Sequence, residues 1–112
     1  MQIKEHNLIA KLVGELDHHS AESTRRKIDQ YYVDKKLHNI ILDLRKVTFM
    51  DSAGIGLIMG RYKNVLEKRG KLLLVSNNKS IDRILKMSGL LKITEVCSTL
   101  EIALEKIVRG DK

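Results

Sequence analysis

Two short apolar runs, Ile40-Ile41-Leu42-Asp43-Leu44 and Leu72-Leu73-Leu74-Val75, constrain this chain more than any other feature. Each is too short for a buried helix and is apolar on both faces, the pattern of a strand covered on both sides of a parallel sheet. Parallel neighbours require a crossover, and a segment with helical spacing follows each run. Ahead of them, Ile3-Lys4-Glu5 and Leu8 to Val13 read as a short and a longer strand joined by a His6-Asn7 turn. Ser20 is placed to cap a helix through about residue 36, with Ala21, Thr24, Ile28 and Tyr31 at helical spacing. A second helix after residue 52 carries an inner stripe of Ile55, Ile58, Met59, Tyr62, Val65 and Leu66, and Gly70 stops it. Asn78 or Ser80 starts a third, with Ile81, Ile84 and Leu85 inward and Gly89 at its end. Ile93 to Val96 forms a last strand, and Ser98-Thr99-Leu100-Glu101 matches a capping box opening a helix that turns Leu104, Ile107 and Val108 inward. The order β-β-α-β-α-β-α-β-α predicts an α/β fold: one mixed, mostly parallel sheet with an antiparallel opening hairpin and helices mainly on one side.

The 112 residues fit one domain, read here as spanning 1–112. With no Trp and one Phe, Phe49, the core must be built from Leu, Ile and Val. A lone Cys97 excludes an internal disulfide and points to a reducing, cytoplasmic setting. No run approaches the ~20 apolar residues of a membrane span, and residues 1–7 hold no signal-peptide core, so no membrane partner is expected. The net charge of +7 raises the question of nucleic acid. It is concentrated: residues 61–92 hold nine basic residues against two acids, while the rest of the chain balances. That stretch has only Tyr62 for base stacking, which argues against direct nucleic-acid binding. The basic face suits an acidic protein surface, or is simply solvated. With no heptad and no large apolar stripe, a monomer is expected when free.

The segment Val47-Thr48-Phe49-Met50-Asp51-Ser52-Ala53-Gly54-Ile55-Gly56 joins a buried strand to a helix N-terminus, where unpaired amides and the helix dipole favour negative charge. A phosphate on Ser52 would sit where such a charge is tolerated. Gly54 and Gly56 lack side chains and leave room for a partner's backbone to approach the serine, or for packing. Asp51 is placed to orient the hydroxyl, to mark the site for a partner, or only to cap the helix. Catalysis fits poorly. Met50 stands where a hydrolase elbow needs Gly, no acid completes a triad with Ser52 and His18 or His19, and the Gly54, Gly56, Gly60 spacing matches no dinucleotide or P-loop fingerprint. Gly56 and Gly60 are four apart, as in close helix packing. Adjacent His18 and His19 point apart on most backbones, so no metal and no cofactor are expected, and no catalytic residue is assigned.

Residues 47–63 closely resemble the signature of the STAS-domain anti-sigma factor antagonists. Gly14-Glu15-Leu16-Asp17-His18-His19-Ser20-Ala21-Glu22 resembles their second landmark and Met87-Ser88-Gly89-Leu90-Leu91-Lys92-Ile93 a third, in the right order along the chain. The position after the serine is often a second Ser in that family; here it is Ala53, which leaves Ser52 as the acceptor. The resemblance, strongest to the sporulation branch, implies a phosphorylation-controlled anti-anti-sigma factor and not an enzyme. The unmodified form would bind an anti-sigma factor that is also a serine kinase, releasing the sporulation sigma factor. Phosphorylation of Ser52 by that kinase would end the binding, and a serine phosphatase would restore it. Partner contacts are expected at Asp51, Ser52, Gly54 and Ile55 and, from the loop at the same end of the sheet, at Asp17, His18 and His19. A STAS module of a stress-response complex and a purine-nucleotide-binding STAS domain are the alternatives left open.

Overall fold

A computed structural model describes residues 1–110. A five-stranded sheet runs in the order β1 (Gln2–Lys4), β2 (Asn7–Leu16), β3 (Asn39–Met50), β4 (Leu72–Val75), β5 (Glu95–Cys97). The first pair is antiparallel and the other three are parallel. Helices α1 (Ala21–Asp34), α2 (Ser52–Glu67) and α3 (Lys79–Met87) make the crossovers, and α4 (Leu100–Gly110) closes the chain. Because each parallel strand is added on the same side of the last, right-handed crossovers put all three connecting helices on one face. Only α4, free of that rule, packs on the other.

The alternation of side chains along the strands makes two cores. Leu8, Ala10, Ile40, Leu42, Leu72 and Leu74 meet Ile28, Tyr32, Leu57, Ile58, Val65, Ile81 and Leu85 beneath the three connecting helices. Ile9, Ile41, Leu73, Val75 and Cys97 turn the other way onto Ala103 and Ile107 of α4. Cys97 is therefore a small core residue. At the start of the strands, the buried Asn39 donates to Asn7 at 2.8 Å and accepts from the Lys71 amide at 2.8 Å, tying three strands together.

Several local expectations are corrected. In α1 Tyr32, not Tyr31, faces the core: Tyr32 is 1% exposed, Tyr31 39%. In α2 the buried arc is Gly54, Leu57, Ile58, Arg61 and Val65, while Met59 and Leu66 face outward. That helix is apolar nearly all round, so periodicity alone does not choose its inner face. The Ser20 side chain caps nothing; its hydroxyl donates back to the Glu15 carbonyl at 2.7 Å. Thr99 accepts from the Ile102 amide ahead of α4, and this replaces the capping box expected from Ser98 and Glu101. In α4 Ala103 is buried and Val108 is 58% exposed. Asn78 does cap α3, accepting from the Ser80 and Ile81 amides.

Candidate functional site

Strands β2 and β3 run on past β4, whose pairing with β3 ends at Asp43 and Val75, and pair with each other as far as Leu16 and Met50. Two register shifts near Gly14, whose φ is +85°, bend this extension. The two chain ends then leave the sheet side by side, one into the 17–20 loop and the other into α2. Sequence residues 33 positions apart thereby become neighbours.

Asp51 joins them. Its backbone is extended, and one carboxylate oxygen accepts from the Ala53 amide at 2.8 Å and the Gly54 amide at 3.4 Å, capping α2. The other oxygen accepts from the His18 amide at 3.2 Å and lies 3.4 Å from His18 Nδ1. Partial burial pushes the Asp51 carboxyl up, but the Ala53 amide, the His18 ring and amide and the Gly54 amide outweigh it and hold it below the ordinary value of 3.8. It is a fixed negative charge. Asp17 does the same for its own loop, accepting from the His19 and Ser20 amides at 2.9 and 3.1 Å. The His18 and His19 rings lie 4.0 Å apart between centroids and both are exposed.

Ser52 is the first residue of α2 and is exposed, directly beside this bridge. Ile55 is half-buried and packs on the core edge. Gly54 is different. A Cβ there would lie 2.6 Å from the Leu16 carbonyl oxygen and 2.6 Å from Met50 Cγ, so its missing side chain admits the protein's own β2 end and not a partner. Gly56 and Gly60 are the reverse case: a Cβ on either meets nothing within 4 Å, so neither serves helix packing. The structure thus brings Asp17, His18, His19, Asp51, Ser52 and Ile55 to one end of the sheet, with Gly54 underneath.

The chain belongs to the STAS domain family. The STAS profile matches residues 1–103. Over 89 residues the chain is 40% identical to the anti-sigma F factor antagonist of Paenibacillus polymyxa, covering 80% of this chain and 76% of that one. Its fold matches the anti-sigma factor antagonist SpoIIAA in unphosphorylated form, with a TM-score of 0.75, 25% identity and coverage of 98% and 96%. It matches the Bacillus cell fate determinant SpoIIAA in phosphorylated form almost equally, with a TM-score of 0.74, 28% identity and 96% of each chain. Within the STAS family, then, this is an anti-sigma factor antagonist. Among the described residues no helix is long and apolar enough to cross a membrane.

Two features of the structure, one at the site and one in the helix that carries it, escaped the sequence. Phe49, the single Phe, is 49% exposed next to the bridge, where strand alternation past the end of β4 leaves it uncovered. Arg61, counted with the basic face, is 5% exposed and pairs through Nε with Asp29 of α1 at 3.0 Å. Its place in the buried phase of α2, between Ile58 and Val65, was the signal available.

Proposed function

We propose that this antagonist is switched off by phosphorylation of Ser52 and back on by its removal. The observation that carries the reading is the division of labour at the start of α2. Asp51 already occupies the amides of Ala53 and Gly54. A phosphoryl group on Ser52 therefore finds the Ala53 and Gly54 amides taken, and its charge stays on the surface beside a carboxylate held ionised. A phosphoserine brings about −1.5 to −2 charges at pH 7. In a partner interface that charge must be desolvated next to Asp51, which opposes binding without any change of fold. The near-equal match to both phosphorylation states of SpoIIAA supports a fold that does not change.

The partner in this reading is an anti-sigma factor that is itself the Ser52 kinase, and a serine phosphatase resets the switch. Asp51, Ser52, Ile55, Asp17, His18 and His19 make the contacts, and Gly54 supports them from below. The antagonist is a cytoplasmic monomer without cofactor, and the sigma factor released is the sporulation one, as the anti-sigma F relative suggests. Binding of the anti-sigma factor to wild type, Ser52→Ala, Ser52→Asp and the phosphorylated protein tests this. Ser52→Ala should bind as wild type. The phosphorylated protein and Ser52→Asp should lose at least about tenfold in affinity, each tenfold being ~1.4 kcal/mol. Equal affinity across all four would contradict the switch.

A further inference from the structure

The concentration of basic residues between positions 61 and 92 takes on a definite shape in the fold. Of the nine, Arg61 is buried against Asp29 and leaves the set. The other eight are exposed, and none forms an ion pair among the described residues. Outside this stretch five described cations do pair: Arg25 and Arg26 with Glu22, Arg45 with Asp43, Lys106 with Glu95 and Arg109 with Glu105. Lys68 sits over the Tyr32 ring at 4.6 Å, on the α1 side, and is set apart from the rest.

The outer face of α2 connects this charge to Ser52. Gly56, Met59 and Lys63 follow Ser52 at helical spacing, all exposed, and Leu66 continues the line at 53% exposure. At the far end of α2, Tyr62 shares an open cleft of about 690 Å³ with Lys71, Leu91, Lys92 and Ile93, walled on another side by the Glu95–Lys106 ion pair. Met87, at 80% exposure, ends α3 just before the turn that carries Leu91, with Lys86 beside it. An apolar strip is thus flanked by cations that have no internal counter-charge. Lys63 lies about 17 Å along the helix from Ser52, at 1.5 Å per residue. A standard interface covers about 800 Å² per partner, a patch roughly 30 Å across. A partner that holds Ser52 near one edge of such a patch and extends along α2 therefore covers Met59, Lys63 and Leu66.

We infer that this α2–α3 face docks an acidic, apolar-centred surface of the same anti-sigma factor that binds at Ser52, an assignment resting on the function proposed above. The apolar side chains between the cations favour a protein over nucleic acid, which would need a continuous basic groove or stacking aromatics. Because the cations lie at the rim, their effect falls mainly on the association rate.

Stopped-flow association with the anti-sigma factor kinase from the same genome tests this on three proteins: wild type, Lys63→Glu/Lys86→Glu/Lys92→Glu, and a control of equal charge change, Lys4→Glu/Lys27→Glu/Lys35→Glu. At about 50 mM salt the face triple should associate at least tenfold more slowly than wild type, and the control by about threefold or less. The wild-type rate should fall steeply towards 0.5 M salt, where the face triple converges on it. Full Ser52 phosphorylation of the face triple at saturating kinase shows that it is folded. Equal slowing of both triples, no slowing of either, or a wild-type rate indifferent to salt overturns the docking face. Duplex DNA bound by wild type but not by the face triple reassigns the surface and overturns it too. The two proposals fail separately. If wild type binds, Ser52→Asp releases and the face triple is unaltered, only the docking face falls; if wild type does not bind the kinase, the proposed function falls.

Discussion

At Asp51 one carboxylate oxygen caps α2 while the other holds the His18 loop, so a single side chain fixes both halves of the site. Asp51→Ala should lower the urea midpoint, and Asp51→Asn, which still caps, should lower it less. The pH dependence follows from the direction of its shift. The folded carboxyl titrates below 3.8 and the unfolded one at that value, so the native state binds fewer protons. Its stabilising effect is complete above the unfolded value and is lost as pH falls through the folded one. The gap between wild type and Asp51→Ala in urea midpoint should therefore be constant near neutrality and close below about pH 4. The glycines of α2 separate by the same kind of measurement. Gly54→Ala drives a methyl into Leu16 and Met50 and should cost about 1–3 kcal/mol. Gly56→Ala enters open space on an exposed helix and should add about 0.5–1 kcal/mol. If Gly56 is kept for the partner's approach, that stabler variant will bind the anti-sigma factor more weakly. Nothing in the sequence distinguished these two glycines, because the difference lies in what β2 places above one of them.

The contact between α1 and α2 hangs on a charge. Arg61 is buried and its guanidinium is pulled below its usual value by that burial, with Asp29 pulling it back. Asp29 also accepts from Arg25 at 3.0 Å and Asn64 at 3.2 Å. The two partners are thus unequal. Asp29→Ala strands a buried guanidinium and should cost about 3 kcal/mol, whereas Arg61→Met leaves Asp29 two other partners and should cost less than about 1.5 kcal/mol. Thermal or denaturant unfolding of the two variants decides the order. Helices with one apolar face were legible, as α3 shows with Ile81 and Leu85 inward. α2 was legible only in part: Ile58 and Val65 are buried and Ile55 and Tyr62 pack on the core edge as expected, but Met59 and Leu66 face outward. Those two outward residues lie on the face proposed above for docking. The buried side of α2 includes an arginine, which a hydrophobic stripe cannot announce.

For the whole molecule, the succession of strands and helices and a mostly parallel sheet with helices mainly on one side were legible, because short apolar runs separated by helical segments leave few choices, whereas the second core beneath α4 was not. The end of the sheet was less so. The continuation of β3 through Lys46 and Phe49 to Met50 is built from residues of mixed polarity, and it is this extension that carries Asp51 to His18. A fold fixed by two cores has no reason to rearrange when one exposed hydroxyl is modified. Amide chemical-shift changes on phosphorylation should accordingly stay within residues 15–22 and 49–57; shifts running through α3 or α4 would show a rearrangement. The central claim is that Ser52 is where this chain is switched. Intact-mass spectrometry after incubation with the anti-sigma factor kinase and Mg-ATP tests it most directly, with Ser52→Ala in parallel. One phosphoryl group gained by wild type and none by Ser52→Ala is the predicted result. A phosphoryl group on both, or on neither with a kinase shown to be active, would contradict the account.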